Sequence, residues 1–282
     1  QCYLMEIWIS TGRHRKDKSW KNIKYTWPQL LERLARCQRT GETVAEYAKM
    51  DRDDQSIIKD VGGFVGGIIN GGRRKKGAVT SRSLVTLDLD TAPADFWEAM
   101  TLNFWQLCAI YSTHKHTPAS PRLRLIIPLD REVLPDEYEA ISRRLAGAMG
   151  MDYFDPTTFQ PERLMYWPSA PKDGEYFFSH QDGDPLSADV VLGTYANWKD
   201  VSQWPVHPGE ARQIREGVTT AQDPTEKTGI VGAFCRVYGI TAAIDEFLGD
   251  VYELAGDGRY TYTGGSTSGG LVIYDDKFAY SH

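Results

Sequence analysis

Apolar and polar residues alternate with a period of two from Leu84 to Asp90, the pattern of a half-buried β-strand. Val85, Leu87 and Leu89 fall on one face, and Thr86, Asp88 and Asp90 on the other. Residues 108–116 and 122–129 also read as strands, and the prolines at 118 and 121 mark the loop of a hairpin between them. Ile110, Ser112, His114 and His116 line one side of the first of these strands. Arg122, Arg124 and Ile126 share a face of the second. The hairpin is therefore expected to present Ser112, His114, His116, Arg122 and Arg124 together. Helical patterns cover 94–103 and 135–149, and a short apolar run at 164–167 reads as a closing strand. The order from residue 83 onward is βαββαβ, a split ferredoxin-like unit.

Upstream, residues 3–9 alternate weakly and are expected to form a strand. Residues 27–39 have helical spacing, with Leu30, Leu31, Leu34 and Ala35 on one stripe. A short helix is expected over 43–50. The apolar, glycine-rich run 57–69 is expected to lie beside the central sheet. Residues 174–192 should add one or two outer strands. Composition shifts near Tyr195, where Pro205, Pro208 and Gly209 suggest a linker. Two helices follow, 229–238 and 241–248, with Gly239 between them and Thr241 as N-cap. Residues 260–263 and 271–274 flank a Gly/Ser loop as a hairpin. Its glycines lack the Lys-Ser/Thr that a phosphate loop requires, so a flexible turn is the better reading. The expected organisation is an α+β domain over 1–195, with its core at about 83–169, and a small, mostly helical extension over 196–282.

Charge changes this picture more than composition does. The chain has 282 residues, is 41% apolar and carries a net charge of −6. Residues 1–87 hold 17 Lys and Arg against 9 Asp and Glu, a net of +8, while the remainder holds 15 against 29, a net of −14. Two basic clusters stand out. Arg13, Arg15, Lys16, Lys18, Lys21 and Lys24 interleave with Trp20, Tyr25 and Trp27. Arg73, Arg74, Lys75 and Lys76, joined by Arg82, follow the turn signal Asn70-Gly71-Gly72. Basic side chains track phosphates and aromatic rings stack on unpaired bases, so the second cluster is a candidate DNA contact. A lone charge run is more commonly just a solvated surface.

No run of 18 apolar residues exists, so no membrane span is expected. The opening residues, Gln1 to Leu4, lack a basic segment ahead of an apolar one, so no signal peptide is expected. Residue 1 is not Met, which suggests a trimmed or internal fragment. Cys2, Cys37, Cys108 and Cys235 lie far apart without metal-ligand spacing, and read as reduced thiols of a cytoplasmic protein.

The strand end at Asp88 and Asp90 carries two carboxylates on one face, about 7 Å apart at Cα by strand rise. Like charges that close repel unless something positive lies between them. A hard divalent cation, which takes oxygen ligands, would serve. A solvated strand end is the competing reading. The Ser, His and Arg side chains of the hairpin suit a triphosphate, which needs many donors and a guanidinium fork. Asp155, followed by Pro156 and Thr157, reads by itself as turn chemistry.

The ordered set is more specific than its parts. A strand ending Asp88-x-Asp90, then a hairpin with Ser112-Thr-His114, then Asp155-Pro-x-Thr and Arg163-Leu-x-x-x-Pro-Ser169 resembles the archaeo-eukaryotic primase superfamily. It is most similar to the primase-polymerase modules of phage and mobile-element replication proteins, which precede a virulence-associated-E/D5-like helicase. The motifs span 84–169. A weaker likeness extends over most of the chain, including the glycines at 62–67 and the hairpin at 260–271. The resemblance implies an RRM-like catalytic core. It implies two Mg²⁺ or Mn²⁺ ions on Asp88, Asp90 and Asp155, and a triphosphate grip from Ser112, His114, His116, Arg122 and Arg124. Either His114 or Arg124 answers to the family's motif-two histidine. Arg163 stands where the family often has His, and would contact the incoming nucleotide. The implied partners are a single-stranded DNA template, NTPs or dNTPs, and a helicase domain in the same polypeptide or complex, inside a bacterial host cell.

Two other classes fit parts of the sequence. His114-Lys115-His116 resembles the paired histidines of rolling-circle initiator nucleases, which also need a helical tyrosine nucleophile; Tyr138 is the nearby one. Alternatively, the domain is a non-catalytic single-strand-binding adaptor of a replicative helicase.

Overall fold

A computed structural model describes residues 5–220 and 222–281. Cys2 and the start of the strand expected over 3–9 lie outside them. The chain divides into two compact units, one ending at Leu192 and the other starting at Gly193.

The first unit runs β1 (Glu6–Gly12), β2 (Lys21–Thr26), α1 (Trp27–Ala35), β3 (Gln38–Arg39), α2 (Val44–Lys49), α3 (Arg52–Ile58), β4 (Gly63–Val65) and β5 (Gly67–Ile69). It continues with β6 (Val79–Leu89), α4 (Phe96–Thr101), β7 (Cys108–Ser112), β8 (Leu123–Val133), α5 (Pro135–Met149), β9 (Met165–Tyr166), β10 (Ser169–Ala170), β11 (Phe178–Gln181) and α6 (Ala188–Leu192).

The central sheet has the order β11-β7-β8-β6-β5. β8 runs antiparallel to both β6 and β7, so β6 and β7 are parallel with β8 between them, the split βαβ arrangement. Both faces of this sheet are covered. Leu84 and Ile126 on one face join a core with Ile7, Ile9, Leu30, Leu34 and Phe64 from the N-terminal segment. Val85, Leu87, Leu89, Leu125 and Ile127 on the other face are fully buried, and α5 packs against β6. The 15-residue α5 has the bounds its pattern predicts. Pro135 opens it, and Gly150, at φ 112°, ends it in a conformation that suits glycine.

The expected closing strand behaves differently. β9 pairs with β4 in a second sheet, of order β2-β1-β4-β9. The vacated edge of β6 is filled by β5 from the 57–69 run, as expected for a strand beside the central sheet. At the far end of β6, residue 154 makes a single antiparallel bridge to Leu89. β11 supplies one outer strand along β7, and 188–192 is helical.

The second unit holds helices over Pro208–Thr220, Gly229–Val237 and Ile240–Phe247, then a four-stranded antiparallel meander. The expected hairpin is its central pair. Two expectations need correction. A helix occupies the proposed linker from Pro208 onward, because proline is well tolerated at a first helical position. The N-cap of the last helix is Gly239, not Thr241, whose N–H donates to Asp276 Oδ1. Among the described residues, no helix is long and apolar enough to cross a membrane.

Candidate functional site

At the end of β6 the sheet opens into a polar cleft of about 310 Å³, lined by Asp88, Asp90, Asp155, His114, Arg122, Arg124 and Arg163 together with Lys59, Lys115, Tyr166 and Ser169. Seven residues singled out from sequence therefore meet, drawn from four segments of the chain. The period-two pattern brings Asp88 and Asp90 to one side. β8 carries Arg124 to the same face, because Arg124 is the register partner of Asp88.

Asp155 arrives by backbone pairing. Its N–H donates to the Asp88 carbonyl at 2.8 Å, and the Asp90 N–H donates to the Tyr153 carbonyl at 2.9 Å. Its side chain also does the turn chemistry its sequence suggests, since Oδ1 accepts from the Thr157 N–H and hydroxyl at 2.7 and 2.6 Å. Thr158 locks the junction by accepting the Asp88 N–H on Oγ1 at 2.8 Å.

Each carboxylate faces a guanidinium. Arg122 donates to Asp90 Oδ1 at 2.6 Å and Arg163 to Asp155 Oδ2 at 2.5 Å. Arg163 also lies 3.8 Å from Asp88. Arg124 Nε stands 3.5 Å from Asp88 Oδ1, an ion-pair distance without hydrogen-bond geometry, so this buried N–H has no hydrogen-bond partner. Arg124 is otherwise anchored by the Tyr166 carbonyl at 3.2 Å and sits against the rings of Tyr111 and Tyr166. Burial raises the Asp90 carboxyl, and the Asp88 charge raises it further; Arg122 opposes both. Burial, with Arg124 nearby, lowers the Lys59 ammonium.

Hard oxygen donors facing one cleft are what a divalent cation takes, so the three aspartates fit such an ion by chemistry. As they stand they are arginine-paired, and among the described residues no group of three or more His, Cys, Asp or Glu side chains is arranged to hold a metal ion.

His114 is committed on both ring nitrogens. Nε2 meets Glu42 Oε1 and Nδ1 meets Ser169 Oγ, each at 2.8 Å, with Tyr47 tilted against the ring. Burial lowers the imidazole, and Glu42 only partly offsets this. Neutral His114 then donates from Nε2 to Glu42 and accepts the Ser169 hydroxyl on Nδ1. Of the two residues that could answer to the motif-two histidine, Arg124 is the one with an uncommitted donor.

Three expected site residues are elsewhere. Ser112 is opposite Leu123 in the β7–β8 register, on the face away from Arg124. It is buried, and its Oγ accepts the Phe177 N–H at 2.9 Å, which pins β11 to the sheet. His116 stays in the hairpin loop, where Nδ1 accepts the Arg122 N–H at 3.3 Å. Arg82 is fully buried. Its guanidinium donates to the Leu84 and Pro161 carbonyls and to Thr86 Oγ1, and lies 3.9 Å from the Tyr138 ring centre, so it does not reach DNA. Arg73, Lys75 and Lys76 are exposed in the expected loop, while Arg74 folds back onto Trp20 and the carbonyls of Arg15 and Glu162.

The initiator-nuclease reading fails on the same ground as Arg82. Tyr138 is fully buried, with its hydroxyl 3.2 and 3.3 Å from the carbonyls of Thr86 and Thr158, while His114 is committed to Glu42 and Ser169 and His116 Nδ1 accepts the Arg122 N–H.

One wall of the cleft was not foreseen. α2, α3 and the C-cap residue of α3 contribute Tyr47, Arg52, Gln55, Ser56 and Lys59. Thr43 caps α2 through a capping box with Glu46, and Asp51 caps α3. Gln55 Nε2 donates to the Tyr47 carbonyl at 2.9 Å while the Tyr47 hydroxyl donates to the Gln55 carbonyl at 3.1 Å, so the two short helices are tied to each other. The cap signals were readable, but their position over the cleft was not.

Residues 3–207 match the model of the family described as the VapE N-terminal domain, which agrees with the resemblance carried by the motifs. A solved structure, the AEP domain of the cyanophage S-2L primase-polymerase, is similar at 16% identity over 68% of this chain and 89% of that one, with a TM-score of 0.36. No curated protein matches the chain.

Proposed function

This chain belongs to the VapE N-terminal domain family, and from that premise we propose that it is a DNA primase-polymerase of phage or mobile-element replication, transferring nucleotides from NTPs or dNTPs on a single-stranded DNA template. The observation that carries the reading is the meeting of Asp88, Asp90 and Asp155 with Arg122, Arg124, Arg163 and Lys59 in one cleft. A nucleotidyl-transfer site needs both signs of charge side by side, carboxylates for cations and guanidinium groups for the polyphosphate.

Asp88, Asp90 and Asp155 would hold two Mg²⁺ or Mn²⁺ ions, whose chemistry is to activate an attacking 3′-hydroxyl and neutralise the leaving pyrophosphate. Arg124 offers the polyphosphate an N–H that no protein acceptor takes. Arg122 and Arg163 flank it with further forks. His114 orients rather than grips: it ties the loop after β7 to Glu42 and Ser169, and so fixes the wall formed by α2 and α3. Arg73, Lys75 and Lys76 are the proposed template contacts, and a helicase domain in the same polypeptide or complex is the proposed partner.

A second reading has one observation in its favour. Every carboxylate already has a guanidinium neighbour, which would suit a site that binds single strands without turnover. Template-dependent incorporation of labelled NTPs and dNTPs, with and without primer and with Mg²⁺ or Mn²⁺, separates the two. Incorporation that disappears in Asp88→Ala supports the polymerase. Strand binding indifferent to metal and nucleotide, with no incorporation, supports the adaptor.

A further inference from the structure

We infer that arginines and carboxylates in the cleft exchange partners when a polyphosphate arrives, so that cation and polyphosphate each bind weakly alone and tightly together. The inference rests on the nucleotidyl-transfer reading and adds to it a regulation of cation entry.

Three observations support it. First, the carboxylates are neutralised from within the protein: Arg122 on Asp90 and Arg163 on Asp155, both by direct hydrogen bonds. A cation approaching Asp90 or Asp155 meets a guanidinium already there. Second, the arginines differ in freedom. The side chain of Arg124 is 9% exposed and anchored on Tyr166, whereas those of Arg122 and Arg163 are 33% and 30% exposed. Arg124 is thus a fixed anion receptor with an unpartnered buried Nε–H, and the other two have room to swing. Third, Asp88, Asp90 and Asp155 line the same cleft, and it is Arg122 that donates to Asp90 there, at 2.6 Å. Moving Arg122 away leaves a carboxylate group that needs another cation.

The sequence follows from charge. A triphosphate carries more negative charge and more acceptors than a lone carboxylate and suits the same fork. It docks on Arg124, draws Arg122 and Arg163 across, and leaves Asp90 and Asp155 to a divalent ion. By linkage the effect is reciprocal, and the ion strengthens polyphosphate binding by the same factor.

The test uses binding, not turnover. Mn²⁺ is titrated into the protein in phosphate-free buffer and the free ion is followed by electron paramagnetic resonance. Arg122→Gln and Arg163→Gln should each bind Mn²⁺ about tenfold more tightly than the unaltered protein. In the converse arm, inorganic tripolyphosphate is titrated by calorimetry with EDTA present, and Asp90→Asn should bind it about tenfold more tightly. This arm stands even if an arginine variant does not fold. Equal Mn²⁺ affinity in the unaltered protein and both arginine variants overturns the exchange, as does unchanged tripolyphosphate affinity in Asp90→Asn. If the unaltered protein already binds Mn²⁺ tightly and loses it in Asp88→Ala, the exchange fails while the polymerase reading stands. If neither the unaltered protein nor any variant binds Mn²⁺, with or without tripolyphosphate, both fail.

Discussion

The backbone N–H of Asp155 donates to the carbonyl of Asp88 across 2.8 Å, so residues 67 positions apart in sequence are held by main chain rather than by side-chain attraction. That arrangement separates the fold of the site from its charge. Asp155→Asn keeps an acceptor for the Thr157 cap, and Asn caps as well as Asp. It should therefore lower unfolding free energy by less than about 1 kcal/mol, while cutting nucleotide incorporation by about a hundredfold or more, as loss of a metal-ligand charge does. Chemical denaturation alongside a primer-extension assay checks both. Full activity in this variant would take Asp155 out of the chemistry.

The two classes of basic residue should respond oppositely. Removing exposed Arg73, Lys75 and Lys76 together by alanine should leave the melting transition in place. It should weaken single-stranded DNA binding and reduce the slope of log affinity against log salt by about 2, the value for three phosphate contacts on a single strand. Arg82→Ala leaves buried carbonyls of Leu84 and Pro161 and the Thr86 hydroxyl without their donor, and should cost about 3 kcal/mol of stability. DNA affinity of the folded fraction should not change. A salt titration by fluorescence anisotropy, with a denaturation curve for each variant, tests the pair.

The difference between Arg82 and its neighbours in sequence explains what could be read from the chain and what could not. Period-two alternation located β6 and put Asp88 and Asp90 on one face, because that pattern is local. The bounds of α5 were legible from Pro135 and Gly150 for the same reason. Arg82 looked like part of a basic run because charge runs are read along the chain, whereas its burial comes from α5 and residue 161 closing over it. Ser112 was misassigned because the side of a strand depends on register: β7 ends there, and only the turn after it brings His114 round to the cleft. Glu42 gave no signal at all, since its partner lies 72 positions away. β9 was legible as a strand, but sequence does not say which sheet it joins.

Strand β9 depends on a glycine in β4. At Gly63 an added Cβ would stand 2.4 Å from the Met165 carbonyl oxygen and 2.7 Å from Leu164 Cδ1, closer than the β4–β9 pair can absorb without separating. Gly63→Ala should destabilise the first unit by about 1–3 kcal/mol, the usual cost of overpacking. It should also weaken nucleotide binding, because Tyr166 of β9 anchors Arg124 through its carbonyl. Denaturation and nucleotide titration are the measurements, and an alanine tolerated without loss in either would mean that β9 is not held by this contact.

The buried Glu42–His114–Ser169 link sets a pH dependence with a definite sign. Burial lowers the His114 imidazole below its ordinary 6.5, with Glu42 pulling the other way but not prevailing. Near that pH the unfolded chain therefore binds more protons than the folded one. The stability contributed is fully present above pH 6.5 and is lost as pH falls below it. His116, also lowered by burial, acts in the same direction and window. For Glu42, burial raises the carboxyl, but hydrogen bonds from Thr40 and His114 outweigh it and the net shift is downward, which adds a second loss below pH 4.5. His114→Gln keeps a donor for Glu42 that does not titrate. The fall in unfolding free energy between about pH 7.5 and about pH 5.5 should shrink in this variant, leaving the share of His116, and should nearly vanish when His116→Gln is added. Denaturant titrations at the two pH values measure this. A drop as large in the double variant as in the unaltered protein would mean that neither the cleft around His114 nor the hairpin loop around His116 desolvates its imidazole.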